Sequence, residues 1–340
     1  MSIDKLIKNG SRASLLPDIR IVGIGGAGIS AIKSIQADFE GISFIAIDSS
    51  RATLDGVECG EKIALGGEHQ RLGCGGNPEV GMQLASRSVE VIKNSVAGAD
   101  IVILVAGLGG GLGSGALPVI ANAAKDLGPV VICFVVKPFP FEGMKRNRIA
   151  VDACKKLEID HINMVVMSNK QIVNNFSPDT PFITIMKEAG RQLAALLQNF
   201  LDIILNSGLI NVDFSDIESV LRPGGRLFIG KQYQGETEIG GDVIGSVLDN
   251  VVLEPFDISR SSSAILSVEA GPSFNLGLLH EIGDSISSLS SADIHMIMGI
   301  TINPDLGERV NITVLMIGRF DSLNPECNVS PISQNRNRHE

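Results

Sequence analysis

Eleven residues decide the fold of this chain: Ala106-Gly-Leu-Gly-Gly-Gly-Leu-Gly-Ser-Gly-Ala116, of which six are glycine. The apolar run Ile101–Val105 precedes them, and a segment with helical periodicity, Leu117–Leu127, follows. A glycine loop between a buried strand and a helix leaves backbone N–H groups free to bind phosphate oxygens. Because strand and helix flank it directly, a flexible linker is excluded. No Gly-Lys-Ser/Thr follows, so it is not a Walker A loop.

An earlier glycine loop, Gly23–Gly28, fits the pattern G-x-G-x-x-G after the strand Arg20–Ile24. Asp48 closes the next strand, 20 positions after Gly28. Alone, this pattern predicts a dinucleotide site with Asp48 on a ribose hydroxyl, or a tight turn without a ligand. A dinucleotide oxidoreductase would need no second glycine loop, however, and no His, Lys or Tyr constellation for hydride transfer is present. The second loop therefore favours another class of nucleotide.

The N-terminal half alternates apolar strands with helical segments. The predicted strands include Ser43–Asp48, Val130–Val136 and Met164–Met167, and the predicted helices include Ile29–Ala37 and Gly81–Val96. Continuous Val/Ile strands separated by helices indicate a parallel sheet covered on both faces. The fold class is thus α/β, with a doubly wound N-terminal nucleotide-binding domain.

A long amphipathic helix is predicted at Thr184–Asn206, ending at Ser207-Gly208. Beyond it, three β-rich segments indicate a smaller C-terminal α/β domain: Ala264–Glu269, His295–Ile302 and Val310–Gly318. We therefore divide the chain into a flexible N-terminus, a nucleotide-binding domain, a central helix, a C-terminal domain and a disordered tail. Their limits are 1–17, 18–183, 184–206, 207–320 and 321–340.

Composition excludes several functions. The 28 Lys and Arg against 38 Asp and Glu give a net charge of −10, which argues against a nucleic-acid partner. The apolar runs are too short to span a bilayer, and Met1–Asp18 is neither a secretory signal nor an anchor, so no direct membrane insertion is expected. The five cysteines form no C-x-x-C pair, which predicts reduced thiols, a cytoplasmic location and no protein metal site.

The segment Gly109–Gly115 resembles the tubulin/FtsZ signature G-G-G-T-G-T/S-G. Further segments resemble FtsZ in order and at similar spacing: Gly73–Pro78, Lys137–Gly143, Gly208–Asp216, and Ala292–Ile302 through Val310–Gly318. The resemblance covers about residues 15–320. It implies a tubulin/FtsZ-like fold in a divergent FtsZ-like paralogue.

The resemblance implies a cytoskeletal GTPase that binds GTP and GDP, with Mg²⁺ accompanying GTP. Such proteins polymerise head to tail into protofilaments and hydrolyse GTP between subunits. The acidic loop would supply Asp213 and Asp216 as catalytic residues, with Asn211 assisting; a solvated turn is the alternative. The residues carried over to nucleotide binding are Gly25, Gly26, Ala27, Ser30, Gly109, Gly110, Gly111, Leu112, Gly113, Ser114, Glu142, Arg146, Asn169, Lys187 and Arg191.

Several positions depart from the family pattern. Leu112 replaces the signature threonine, Ser30 an asparagine and Val136 a threonine. The positions that stack on guanine and read its edge, counted back from Asn211 without gaps, are Lys187 and Arg191; Arg191 has only donors. The second hypothesis is therefore an FtsZ-like filament or scaffold that binds or hydrolyses nucleotide weakly or not at all.

The C-terminal sequence departs as well. Asn335–Glu340 does not resemble the hydrophobic, Pro-containing peptide that docks membrane-tethering partners in the family. The predicted partners are therefore further copies of this chain and a membrane-associated adaptor of unknown identity.

Overall fold

The computed structural model describes residues 17–66, 73–205, 212–235, 247, 252–255, 257–289 and 294–318. Residues 1–16 of the N-terminal segment that was predicted to be flexible, Asn211, and the predicted tail at 321–340 lie outside these residues. The strands are β1 (Ile19–Ile24), β2 (Ser43–Asp48), β3 (Glu61–Ala64), β4 (Ile101–Gly107), β5 (Val130–Lys137), β6 (Asn163–Ser168), β7 (Arg226–Gly235), β8 (Ser261–Ala270), β9 (His295–Ile302) and β10 (Arg309–Gly318). The helices are α1 (Gly25–Ile35), α2 (Arg51–Asp55), α3 (Pro78–Arg87), α4 (Val89–Val96), α5 (Gly111–Lys125), α6 (Met144–Ile159), α7 (Asn169–Asn174), α8 (Phe182–Leu205), α9 (Phe214–Leu221) and α10 (Leu276–Leu289).

All the strands belong to one sheet, in the order β3-β2-β1-β4-β5-β6-β7-β10-β8-β9. The first six are parallel, and β7 joins β6 in parallel through two residue pairs, Met164–Arg226 and Val165–Leu227. β10 then runs antiparallel to both β7 and β8, while β9 is parallel to β8. The predicted fold class is confirmed: a doubly wound N-terminal part, a long helix and a smaller C-terminal α/β part.

Helix α8 lies between the two parts. Its buried stripe includes Leu193, Leu197 and Phe200, spaced three or four residues apart, as expected for one helix face. Phe200 packs edge-on against Phe134 of β5, with ring centroids 5.7 Å apart. This stripe belongs to a single apolar core that also includes β8 and β10, so the helix ties the two parts together. The proposed domain limits themselves stay predictions.

A second connection joins the C-terminal part to β6. The segment that contains Val252 and Glu254 pairs antiparallel with the end of β6, where the Ser168 amide donates to the Val252 carbonyl at 2.9 Å. Glu254 accepts from Lys137 Nζ at 2.5 Å through Oε1, and from Arg226 Nη2 at 3.0 Å through Oε2. All three side chains are less than one third exposed. One carboxylate thus links β5, β7 and this segment.

The predicted helix boundaries need correction. α1 and α5 begin at Gly25 and Gly111, not at Ile29 and Leu117, because the glycine loops form the first helical turns. Glycine disfavours helix by about 1 kcal/mol relative to alanine, but tertiary packing overrides this preference. Gly115 illustrates the packing: a Cβ there would lie 1.9 Å from the Pro78 carbonyl oxygen.

Two further differences concern the N-terminal part. The predicted helix Gly81–Val96 is two helices, α3 and α4, separated at Ser88. The short strand β3 was not predicted, because it has only four residues and begins with the charged pair Glu61-Lys62. β7 was also missed, since it mixes apolar with polar residues. Among the helices in the described ranges, none is long and apolar enough to cross a membrane.

Candidate nucleotide-binding site

A cavity of about 600 Å³ opens at the carboxyl ends of the parallel strands. The chain passes from β1 to β2 and β3 on one side of β1 and then crosses to β4 on the other side. The cavity therefore lies at the topological switch point, where α/β sheets bind their ligands. Its wall contains both glycine loops, the ends of β2, β5 and β6, and one face of α8. The volume is within the range of small-molecule sites.

Two helix N-termini form one end of the cavity. α1 follows Ile24 and α5 follows Gly110, and neither helix has a side-chain cap. The first N–H groups of each helix therefore have no intrahelical partner, and both dipoles favour an anion at this end. A Cβ on Gly26 would meet no atom within 4 Å, and one on Gly110 only Arg146 Nη2 at 3.9 Å. The bare backbone is thus open to phosphate oxygens.

The second glycine loop is braced from within and from outside. Gly109 has a φ of +91° and its N–H donates to Ser114 Oγ at 2.8 Å. Arg146 Nε donates to the Gly109 carbonyl at 3.4 Å, and the same guanidinium is paired with Glu142. Glu142 Oε1 in turn accepts from the Phe139 amide at 2.8 Å. These contacts fix the loop and place one cation beside it.

Few charged side chains line the cavity: among the described residues they are Asp48, Glu142 and Arg146. Asp48 is buried, and burial raises its pKa above the ordinary value, although its Oδ1 accepts from the Ser50 amide at 2.7 Å. Burial likewise raises the pKa of the Cys74 thiol, which lies 3.7 Å from Ser49 Oγ. The charge of a bound phosphate would therefore be met mainly by backbone amides and helix dipoles.

The other end of the cavity is largely apolar. The ring of Phe141 stacks on Phe139 with centroids 5.0 Å apart and meets Phe182 edge-on at 5.6 Å. Phe141 and Phe182 are 61% and 57% exposed, which leaves their ring surfaces available to a ligand. Asn169, the first residue of α7, is buried, and its Oδ1 has no hydrogen-bond partner. A buried acceptor without a partner, on a residue of the cavity wall, is a candidate contact for a donor group of a ligand.

The structure brings most of the predicted binding residues together. Those that line the cavity are Gly25, Gly26, Ala27, Gly110, Leu112, Gly113, Glu142, Arg146 and Asn169. Gly109 in the loop and Gly111 and Ser114 in the first turn of α5 are not part of the wall, and Ser30 is exposed on α1 outside the lining. Lining residues that the sequence analysis did not assign include Ser49, Cys74, Gly107, Pro138, Phe139, Phe141, Met167, Phe182, Met186 and Gly190.

The structure places neither Lys187 nor Arg191 on the cavity wall. Both are exposed, and Arg191 Nε donates to Glu188 Oε2 at 2.8 Å. Met186 and Gly190, each one residue earlier, line the cavity instead. The ungapped count from Asn211 was thus one residue off. Helical spacing from Phe182, through residues four and eight positions later, would have identified the correct face.

The acidic residues lie towards the amino ends of the parallel strands, opposite the cavity. α8 has 24 residues and is about 36 Å long, so its last residue is far from the cavity that its first turns line. At the end of α9, the Leu221 carbonyl accepts from Asn163 Nδ2 at 2.8 Å, at the start of β6. Asp213 and Asp216 are exposed at the beginning of α9, and Asp213 makes no capping hydrogen bond. They cannot reach the cavity of their own chain.

Comparisons with known proteins agree with this architecture. Residues 18–177 match the Tubulin/FtsZ family GTPase domain, which implies binding of GTP and GDP, and residues 229–319 match the FtsZ family C-terminal domain. The chain is 31% identical over 302 residues to cell division protein FtsZ of Azotobacter vinelandii, covering 88% of this chain and 77% of that protein. It is 30% identical over 318 residues to the Buchnera aphidicola protein of the same name, covering 92% and 83%.

Solved structures give the same result. An empty FtsZ dimer from M. jannaschii superposes with a TM-score of 0.80 at 27% identity, covering 96% of this chain and 99% of that one. CetZ1 of Haloferax volcanii, solved as a GDP-bound monomer, shares the fold, with a TM-score of 0.74 at 22% identity over 88% and 94% of the two chains. On its fold, its switch-point cavity and these matches, the chain belongs to the FtsZ family.

Proposed function

We propose that this protein is a GTPase that polymerises head to tail, with GTP hydrolysed where two copies meet. One observation carries the proposal: the cavity lies at the carboxyl ends of the parallel strands, and the acidic pair, Asp213 and Asp216, lies towards their amino ends. A second copy stacked in the same orientation places its acidic pair over the cavity of the first. Such a heterologous contact repeats without closing and generates a filament. A protofilament is also the form of a structural neighbour, GTPγS-bound CetZ2 of Haloferax volcanii.

In the proposed complex, the phosphates lie at the N-termini of α1 and α5, and the base lies between Asn169 and the apolar face of α8. The family match and the two uncapped helix ends support this orientation. Glu142 and Arg146 lie beside the second loop, within reach of the ribose and the phosphates. The unpaired Oδ1 of Asn169 is an acceptor for a base N–H group.

The catalytic step that we propose is attack of water on the γ-phosphate. Asp213 and Asp216 of the neighbouring copy orient and polarise this water, with Asn211 assisting. Both aspartates are exposed, so a second copy has access to them. The Asp213 side chain makes no capping hydrogen bond to α9, so its carboxylate is free for this role.

Mg²⁺ is expected to accompany GTP, neutralising charge on the β- and γ-phosphates. Among the described residues, no group of three or more His, Cys, Asp or Glu side chains could hold a metal ion. This composition fits an ion that phosphate oxygens and water hold, rather than a protein cage.

The alternative, a filament protein with a degenerate pocket, has less support. Leu112 lines the cavity where the family pattern has a threonine, and this residue favours weaker phosphate binding. The open backbone at Gly26 and Gly110 and the orphan acceptor of Asn169 oppose it.

In keeping with the cell division relatives, we place the filament in the cytoplasm, with a membrane-associated adaptor as a further partner.

Complementation between two defective variants tests the proposal. Gly26→Glu places a carboxylate among the phosphate-binding amides, where no atom obstructs it, and should abolish nucleotide binding. Asp213→Asn with Asp216→Asn should bind GTP without hydrolysing it. Neither protein alone should release phosphate. In an equal mixture, about a quarter of random junctions combine the intact cavity of one variant with the intact acidic pair of the other. Turnover should therefore return in part.

Phosphate release and sedimentation are measured on the same mixture. Asp152→Asn, an exposed aspartate on α6, is the matched control and should behave as wild type. Hydrolysis by the Asp213/Asp216 variant alone would refute the catalytic assignment. Co-sedimentation of the two variants without restored turnover would refute catalysis between copies, and absence of GTP-dependent pelleting by wild type would refute polymerisation.

A further inference from the structure

The base end of the cavity contains a single polar side chain among the described residues, that of Asn169. The face of α8 that lines this end is apolar: Phe182, Met186, Ala189, Gly190 and Leu193. Gly190 is the decisive position, because a Cβ there would meet no atom within 4 Å. The helix therefore presents an empty space, and not a hydrogen-bonding group, to the edge of the base.

The carboxylates of the cavity wall do not reach this region. Asp48 ends β2, four strand positions from β6 and Asn169, which corresponds to roughly 19 Å along the sheet. Both oxygens of Glu142 are engaged, one by the Phe139 amide and the other by Arg146. On α8 itself, Glu188 is outside the lining and is held by Arg191 and Gln192. No carboxylate of the described cavity wall is thus available to the base.

This arrangement determines which bases the site distinguishes. A carboxylate accepts two hydrogen bonds from guanine N1–H and N2–H, and repels the lone pair of adenine N1. A carboxamide has one donor group and one acceptor, so it pairs with O6 and N1–H of guanine or, rotated, with N1 and N6–H of adenine. Stacking on Phe141 and Phe182 is available to either purine, because every base has a π-face.

We propose that this cavity takes adenine nucleotides as well as guanine nucleotides, with Asn169 pairing to either purine because position 190 carries no acceptor. The proposal rests on the proposed function, namely that the cavity binds a purine nucleotide. The inference differs from the proposed function in the substrate class, because the site accepts both purines and is not selective for guanine.

Titration calorimetry of the purified full chain with GDP and with ADP tests the inference. We expect the two dissociation constants to differ by no more than about tenfold, since one rotatable amide supplies little discrimination. A larger preference for GDP overturns the inference and leaves the proposed function intact. Binding of neither nucleotide at millimolar concentration overturns both, so the two failures are distinguishable.

Two variants at Gly190 test the residue assignment. Gly190→Asp should raise the preference for GDP over ADP by about tenfold or more, because it adds the missing acceptor beside the base. Gly190→Asn has the same size without the charge, and it should leave the ratio of the two dissociation constants within about threefold of wild type. Thermal melting confirms that both proteins fold. A Gly190→Asp protein with an unchanged ratio overturns the inference.

Discussion

Leu112 offers a direct test of how this cavity holds phosphate. The residue is 8% exposed, lines the cavity in the first turn of α5, and belongs to the apolar core beneath it. Replacement by threonine, Leu112→Thr, should strengthen nucleotide binding while weakening the fold. The two effects have opposite signs because the new hydroxyl faces the ligand while the lost carbon atoms belonged to the core.

The magnitudes follow from the contacts at this position. A hydrogen bond to a charged group contributes about 1.5–3 kcal/mol, and we expect the lower end because, in the proposed complex, the amides of α1 and α5 also bind the phosphates. That is about a tenfold gain in affinity for GDP. Leu112→Thr removes one heavy atom from a packed core and exchanges a second carbon for oxygen, which costs about 1–2 kcal/mol of stability. Leu112→Val loses the same bulk and gains no hydroxyl, so it is the matched control.

Calorimetric titration with GDP and urea denaturation, applied to wild type and both variants, measure these effects. We expect Leu112→Val to lose stability without a gain in affinity, and Leu112→Thr alone to bind more tightly. Equal dissociation constants for the Thr and Val proteins would show that position 112 does not contact phosphate. Our orientation of the nucleotide would then be wrong.

Three other changes have defined outcomes. Gly190→Ala fills open space in the interior of α8, so it should raise the free energy of unfolding in urea by about 1 kcal/mol through helix propensity. Glu254→Gln should lower it by about 2 kcal/mol, because Lys137 and Arg226 lose a shared, mostly buried counter-charge. Burial raises the pKa of Asp48 above its ordinary value of 3.8, so the folded state binds a proton more tightly than the unfolded state, and stability from this site falls as pH rises through the folded-state pKa. Asp48→Asn should therefore be more stable than wild type at neutral pH, with the gain lost below pH 3.8, as followed by thermal melts across pH.

Each of these has a control within the chain. Gly283→Ala is at a half-buried position of α10, where a Cβ would meet only Met298 Cε at 4.0 Å, so it should show the same propensity gain without any effect on nucleotide binding. Glu218→Gln removes the partner of Arg222, whose own side chain is 61% exposed, and should cost less than about 0.5 kcal/mol. An equal loss at Glu254 would contradict the reasoning. For Asp48, a stability difference that is constant between acidic and neutral pH would rule out titration of this carboxyl as its cause.

Periodicity and loop spacing predicted the alternating N-terminal half and the long helix, because buried parallel strands and an amphipathic helix leave strong patterns. The first residues of the helices were harder to predict, because α5 begins inside a glycine run that helix propensity alone assigns to a loop. Contacts between distant segments left no local pattern at all. The link from Glu254 to Lys137 spans 117 residues, and no window of sequence contains both.

The candidate site shows the same division. The glycine loops were predicted from their positions after strands, where α/β proteins bind ligands, and Asn169 was predicted from the resemblance to FtsZ. The α8 positions predicted to contact the base were one residue wrong. They were counted back from Asn211 across the connection that follows α8, and the length of this connection has no periodic constraint. Phe141 and Phe182 come together only through folding, and their pairing at the cavity mouth required the structure.

Because the second loop is closely packed, the presence of some of its glycines in a relative does not show that the relative binds nucleotide. A Cβ on Gly113 would lie 2.1 Å from the Gly107 carbonyl oxygen, and one on Gly115 1.9 Å from that of Pro78, with or without a ligand. A lineage that had abandoned nucleotide would still retain these two glycines, or lose the fold. Gly26 and Gly110 experience no such steric constraint. Among relatives of this chain, a side chain at either of those two positions would be the earliest mark of a filament that no longer uses nucleotide.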